Sequence, residues 1–231
     1  MRKAWFWMLA LGCWASASAS TAFARAFDTW EENYAEPVII ESPQWFAFEL
    51  KLGPYQPNYR AFKETFGDDR GWLLATELDI TAYHIPYVGE LAAGLGWGWV
   101  NYDAKAGALP SGQSGEDTEL TFYPMSLLAV LRVDALARHT VVPLTFAGKL
   151  GGDFVRWKAK TGGNNDADGL NKGLRWAVQA AFELDIIDEK SARRLDEDFG
   201  INHTYLLFEF FESRTGGSGD KAFLFGVGLQ L

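Results

Sequence analysis

The stretch Glu90-Leu-Ala-Ala-Gly-Leu-Gly-Trp-Gly-Trp99 decides how this chain folds. Leu91, Ala93, Leu95, Trp97 and Trp99 occupy alternate positions, with Glu90, Ala92, Gly94, Gly96 and Gly98 between them. Successive side chains of a strand point to opposite faces, so one face is large and apolar and the other small or polar. Four glycines within Val88–Val100 argue against a helix there. In a soluble sandwich the large face would pack inward. In a membrane barrel it meets lipid, and the glycines make room in a narrow lumen.

The same alternation recurs along the chain. Phe46, Phe48, Leu50 and Leu52 oppose Glu49 and Lys51; Leu74, Thr76, Leu78 and Ile80 oppose Glu77 and Asp79. Leu127, Ala129, Leu131 and Val133 oppose Arg132 and Asp134. Leu120 and Phe122 have the other parity, which predicts a bulge near Pro124. Leu144, Phe146 and Leu150 oppose Lys149 and Asp153, and Leu174, Trp176, Val178, Ala180 and Phe182 oppose Arg175, Gln179 and Glu183. Leu206, Phe208 and Phe210 oppose Glu209, and Phe223, Phe225, Val227, Leu229 and Leu231 oppose Gly226, Gly228 and Gln230. With Glu90–Trp99 this makes eight segments, an even number as single-chain bacterial barrels require.

The N-terminus carries an export pattern. Arg2 and Lys3 precede a short apolar run, and a small-residue tract ends in Ala22-Phe23-Ala24. This predicts a signal peptide over 1–24, an acidic periplasmic lead-in over 25–43 and a barrel over 44–231. Cys13, the single cysteine, leaves with the signal, so the exported chain has no disulfide or thiol chemistry. Lipidation at Cys13 is the lesser alternative, because Ala10 stands where a lipobox places leucine. Loss of Arg2 and Lys3 takes the formal charge from −9 to −11. That acidity argues against nucleic acid as a partner. No apolar run is long enough for a membrane helix.

Aromatics are 15% of the chain. Trp72 and Tyr83 bracket the second segment and Tyr87 and Tyr102 the third, as interfacial girdles would. The links Pro54–Gly71, Asp103–Asp117, Lys158–Lys172 and Arg214–Lys221 read as long outer loops. His84–Pro86 and Ala135–His139 read as compact periplasmic turns. Asp188–Phe199 has high helix propensity, with Asp188 as opening residue and Gly200 as stop, and predicts a short periplasmic helix.

The run Phe46-Ala-Phe-Glu-Leu-Lys-Leu-Gly-Pro-Tyr-Gln-Pro-Asn58 resembles the first strand and loop of a family of myxobacterial outer-membrane β-barrel proteins. Ala192-Arg-Arg-Leu195 with Gly200-Ile-Asn-His-Thr-Tyr205 is similar to that family's later block. The resemblance spans most of the exported chain. It implies an outer-membrane barrel and supplies no catalytic residues. The last strand looks like a barrel-assembly signal, with Leu231 where such strands usually end in an aromatic.

The inward charges are the candidate site: Glu49, Lys51, Glu77, Asp79, Glu90, Arg132, Lys149, Asp153, Arg175, Glu183 and Glu209. An eight-stranded barrel is wide enough only for side chains to fill it, so these groups read first as a self-satisfied polar plug and second as a narrow ion path. An outer-leaflet enzyme would need a nucleophile and a base at the outer rim, whereas His84, His139 and His203 fall on the periplasmic side. Asn164–Gly169 imitates the start of a calcium loop, but Arg175 stands where the closing Glu belongs.

The sequence therefore predicts an all-β, eight-stranded antiparallel up-and-down transmembrane β-barrel with a short periplasmic helix. It predicts no catalytic residues, metal or cofactor. The partners expected are outer-membrane lipid, the barrel-assembly machinery during insertion, and an unidentified periplasmic or extracellular protein. The role expected is structural, adhesive or loop-presenting, with a narrow channel second. The alternative from another class is a soluble exported barrel holding a small apolar ligand.

Overall fold

Alternation along the chain becomes inside and outside of a closed wall. The computed structural model describes residues 44–108, 112–162, 164–187, 189–216 and 219–231. The expected signal peptide with Cys13, the lead-in over 25–43 and Asp188 lie outside the described residues. Eight strands follow one another: β1 (Phe46–Tyr55), β2 (Gly71–Ile85), β3 (Gly89–Ala108), β4 (Gly112–Val133), β5 (Leu144–Thr161), β6 (Asn164–Glu183), β7 (His203–Thr215) and β8 (Asp220–Gln230). Each pairs antiparallel with the next, and β8 closes onto β1, for example through Lys51 opposite Gly226. Closure leaves no open sheet edge. The end where β1 begins and β8 finishes is the base, and the opposite end is the mouth.

Among the described residues three helices decorate the ends. α1 (Arg60–Phe66) sits at the mouth, while α2 (Ala135–His139) and α3 (Glu189–Phe199) lie at the base. α3 stops as the sequence expects. Gly200 takes φ 69°, and its N–H donates to Asp196 O at 2.9 Å, the left-handed terminus that glycine permits. No described helix is long and apolar enough to cross a membrane. The strands carry any crossing.

Five expectations fail or fall short. No bulge interrupts β4 near Pro124: its pairing with β5 runs unbroken from Thr118 to Val133. Leu120 and Phe122 instead point into the lumen, because its mouth half is packed with apolar groups. Irregularities fall between Thr81 and Tyr83, Lys105 and Gly107, and Ala159 and Lys160. Tyr102 is likewise no girdle residue. It is buried, donates its hydroxyl to Tyr55 O at 2.7 Å, and meets Phe62 edge-on at 4.7 Å between centroids.

Three of the outer links are also shorter than expected. Most of Asp103–Asp117 and Lys158–Lys172, and both ends of Arg214–Lys221, belong to strands. Strands β3 and β4 reach 20 and 22 residues, about twice what a bilayer crossing needs. The calcium-like stretch Asn164–Gly169 is therefore part of β6. The first link does leave the wall, but folds as α1 over the mouth.

Candidate functional site

The wall fixes which groups can meet, because inward positions on all eight strands converge on a lumen too narrow for water to separate them. At mid-height the result is an ionic knot. Lys51 Nζ donates to Glu49 Oε2, Glu77 Oε2 and Glu209 Oε2 at 2.8, 2.7 and 2.6 Å. Lys149 Nζ reaches Glu49 Oε2 and Glu77 Oε1 at 2.8 and 2.7 Å, and stands 3.1 Å from Glu209 Oε2. Gln179 Nε2 adds a bond to Glu49 Oε2 at 2.9 Å.

The knot extends both ways. Toward the mouth, Arg175 donates to Glu209 Oε1 at 3.1 Å and lays its guanidinium 4.0 Å from the Phe211 ring centroid. Toward the base, Arg132 pairs with Asp79 at 3.0 Å and with Glu90, and lies 3.7 Å from Glu49. Glu90 also accepts from Thr81 Oγ1 at 3.0 Å and Gln230 Nε2 at 3.3 Å. Gln230 in turn accepts from Tyr205 at 2.9 Å.

Nine of the eleven singled-out charges thus form one connected cluster, all buried. Asp153 and Glu183 stand apart. Asp153 bonds the Ser213 hydroxyl in the mouth half. Glu183 lies at the base, 3.0 Å from His203 Nδ1, with Asp185 on the same nitrogen at 2.7 Å and Arg138 4.0 Å from Glu183.

Two groups of acids and histidine have ligand atoms close enough to surround a metal, namely Glu183–Asp185–His203 and Glu49–Glu77–Glu209. In the second, Lys51 and Lys149 occupy the space a cation would take. In the first, the imidazole sits between both carboxylates with a guanidinium beside it.

Sequence reasoning missed the mouth half of the lumen. Tyr55, Leu73, Val100, Tyr102, Phe122, Val155, Phe211 and Leu224 pack there, and Phe62 from α1 enters from above. Asp220 is buried at its edge, accepting from Tyr55 at 2.9 Å and from the Asn58 N–H at 2.7 Å. Tyr59 bonds Thr215 Oγ1 at 3.0 Å, and its burial pushes the phenol above its ordinary value. Phe62 and Phe66, four residues apart on one helix face, were the available signal for this lid.

Small gaps remain beside the packed groups. Two residual cavities of about 10 Å³ each flank the knot, roughly the room for one water. The arrangement holds buried charge of both signs in mutual contact.

No family model matches the chain, and no curated protein matches it. Solved structures do. The outer membrane protein OprG of Pseudomonas aeruginosa is 11% identical over 83% of this chain and 97% of its own, with a TM-score of 0.50. Neisserial surface protein A is 10% identical over 82% and 98%, with a TM-score of 0.47. The attachment invasion locus protein Ail of Yersinia pestis, solved with the heparin analogue sucrose octasulfate, is 9% identical over 83% and 100%, with a TM-score of 0.47. At these identities the likeness concerns fold alone. The chain is a closed eight-stranded antiparallel barrel, a fold it shares with OprG.

Proposed function

We propose that this chain is an integral outer-membrane barrel whose role is structural or adhesive, exercised through the elements at its mouth, and whose lumen carries no traffic. One observation carries the reading: the wall is apolar outside and ionic inside. Leu50, Leu78, Leu95, Leu127, Leu150, Val178, Phe208 and Phe225, one from each strand, all stand exposed on the outer face. Soluble proteins rarely expose an apolar surface that encircles them. Hydrocarbon accepts that face, and it would reject the knot.

The base is assigned to the periplasm, where α2 and α3 stand, and the mouth to the exterior. Export by the signal peptide, contact with outer-membrane lipid and insertion by the barrel-assembly machinery belong to the same reading. So does kinship with the myxobacterial barrels, supported by Phe46–Asn58 and the 192–205 block. The barrel is assigned no enzymatic activity. Its three histidines stand at the base, away from where an outer-leaflet substrate would enter.

A soluble barrel holding an apolar ligand is the weaker reading, because ionic groups at mid-height and packed aromatics above them occupy the lumen. The experiment is heat-modifiability of the outer-membrane fraction, with conductance of the purified barrel in planar bilayers. A faster unboiled band and a silent bilayer are expected. A soluble periplasmic protein without a mobility shift refutes the membrane assignment, and steady conductance steps refute the closed lumen.

A further inference from the structure

Above the apolar belt the outward positions change character abruptly. Moving toward the mouth, Leu174 gives way to Lys172 on β6, Phe154 to Arg156 on β5 and Phe223 to Lys221 on β8. Before β2, Trp72 gives way to Arg70, and on β7 Phe210 is followed outward by Glu212 and Arg214. All five cations are exposed. The β3–β4 sector breaks the ring, with Asn101 and Asp103 beyond Trp99 and Tyr123 beyond Met125. What remains is a cationic arc over β5–β8 and across to β2, on a chain of formal charge −9.

Acids answer only part of it. Glu212 accepts from Arg214 Nε at 2.8 Å and lies 3.9 Å from Lys221, while Asp168 lies 3.8 Å from Arg156. Asp68 and Asp69 precede Arg70 in sequence. Lys172 and the Arg70 guanidinium make no ion pair among the described residues.

Two hollows meet at the end of this arc marked by Arg70 and Lys221. A cleft of about 670 Å³ opens between the α1 segment and β7–β8, with Asn58, Lys63, Arg70, Glu212 and Lys221 on its walls. Below it an apolar groove of about 540 Å³ runs down the outer wall past Phe223, Phe210, Phe208, Phe225 and Val178. Pro54 and Phe223 line both. A cation-walled hollow that continues into a phenylalanine-walled one has the form of an amphiphile with an anionic head. Arginine forks and lysine point charges both suit phosphate, and lysine stems can lie along the apolar wall below.

We propose that the cations of this cleft, Lys63, Arg70 and Lys221, bind the phosphate headgroup of an outer-leaflet lipid and that the groove takes one of its acyl chains. The inference rests on the membrane reading above. It commits to lipid phosphate as the occupant.

The test reconstitutes the exported full chain in phosphatidylcholine vesicles and measures association of spin-labelled lipids. Phosphatidic acid should be preferred over phosphatidylcholine by about fivefold, the effect of roughly one cation near a membrane surface. The preference should vanish in the exposed charge reversal K63E/R70E/K221E, weaken in R70E alone, and persist in R193E/R194E on α3. A barrel that inserts, shown by its mobility shift, yet holds both lipids equally overturns the inference and leaves the membrane reading standing. Failure to insert in any vesicle overturns both. Equal preference for an ionised fatty acid overturns the phosphate assignment, and abolition by inorganic phosphate overturns the lipid one.

Discussion

Lys51 on β1 and Lys149 on β5 come from opposite walls of the barrel, yet their ammonium groups share the same three glutamates. Glu49, Glu77 and Glu209 lie within 3.1 Å of both nitrogens. Two like charges stay this close only because carboxylates from β1, β2 and β7 stand between them. The pair is a cross-brace, tying distant staves of the wall through their centres.

Lys149→Met removes one leg of the brace and leaves buried carboxylates undercompensated. The expected loss is about 3–5 kcal/mol, since breaking a buried pair costs more than the pair contributes. It is read as the shift of the urea midpoint of the vesicle-folded barrel. Adding E49Q should recover part of the loss. A midpoint unmoved by Lys149→Met would refute the brace.

Leu95→Arg places a charge on the outer face, where Leu95 is 54% exposed. In water such a surface change is worth about 0.5 kcal/mol or less. At mid-belt in a bilayer it should cost about 2–4 kcal/mol. Refolding the variant into vesicles and into mild detergent separates the two environments.

Phe62→Ala should cost about 3 kcal/mol by emptying the space over Tyr102. Tyr102→Phe should cost about 1 kcal/mol by removing the bond to Tyr55 O. Neither should raise bilayer conductance, because the knot closes the lumen beneath them. Conductance appearing in Phe62→Ala would mean that α1 alone is the seal.

Gly226→Ala tests the closing seam. A Cβ there would fall 2.0 Å from the Leu50 carbonyl oxygen, so β8 would have to draw away from β1. A destabilisation of about 1–3 kcal/mol is expected, as for other forced contacts. Gly94→Ala is the comparison. Its Cβ would meet Asp79 Oδ1 at 2.6 Å, the tip of a side chain that can turn aside. Equal cost at both positions would count against a tight seam.

The wall and the knot were legible because both rest on a period of two. Glu49 and Lys51, or Glu77 and Asp79, are polar at every second position, and polarity marks the lumen wherever the other face meets an apolar solvent. The mouth half was not legible for the complementary reason. Phe122, Leu120 and Tyr102 are apolar or aromatic and face inward, so they look like belt residues with slipped parity. Nothing local distinguishes a ring packed on Phe62 from one lying against lipid. Strand length was hidden too. Asp103–Asp117 and Asn164–Gly169 have turn composition, but pairing with a neighbour across the hairpin overrides that preference. Partner choice within the knot was invisible, since it depends on how the strands stagger around the barrel.

Lys51 meets Glu209 across 158 residues of chain. During synthesis the first strand emerges long before the seventh, so the brace is a late event. Until β7 arrives, two ammonium groups lack one of their three carboxylates, and the half-built wall must keep them wet. A chain truncated before β7 is therefore held to a hydrated, unsealed form, chemically distinct from a finished barrel. The knot in effect counts staves: it registers completion of the protein.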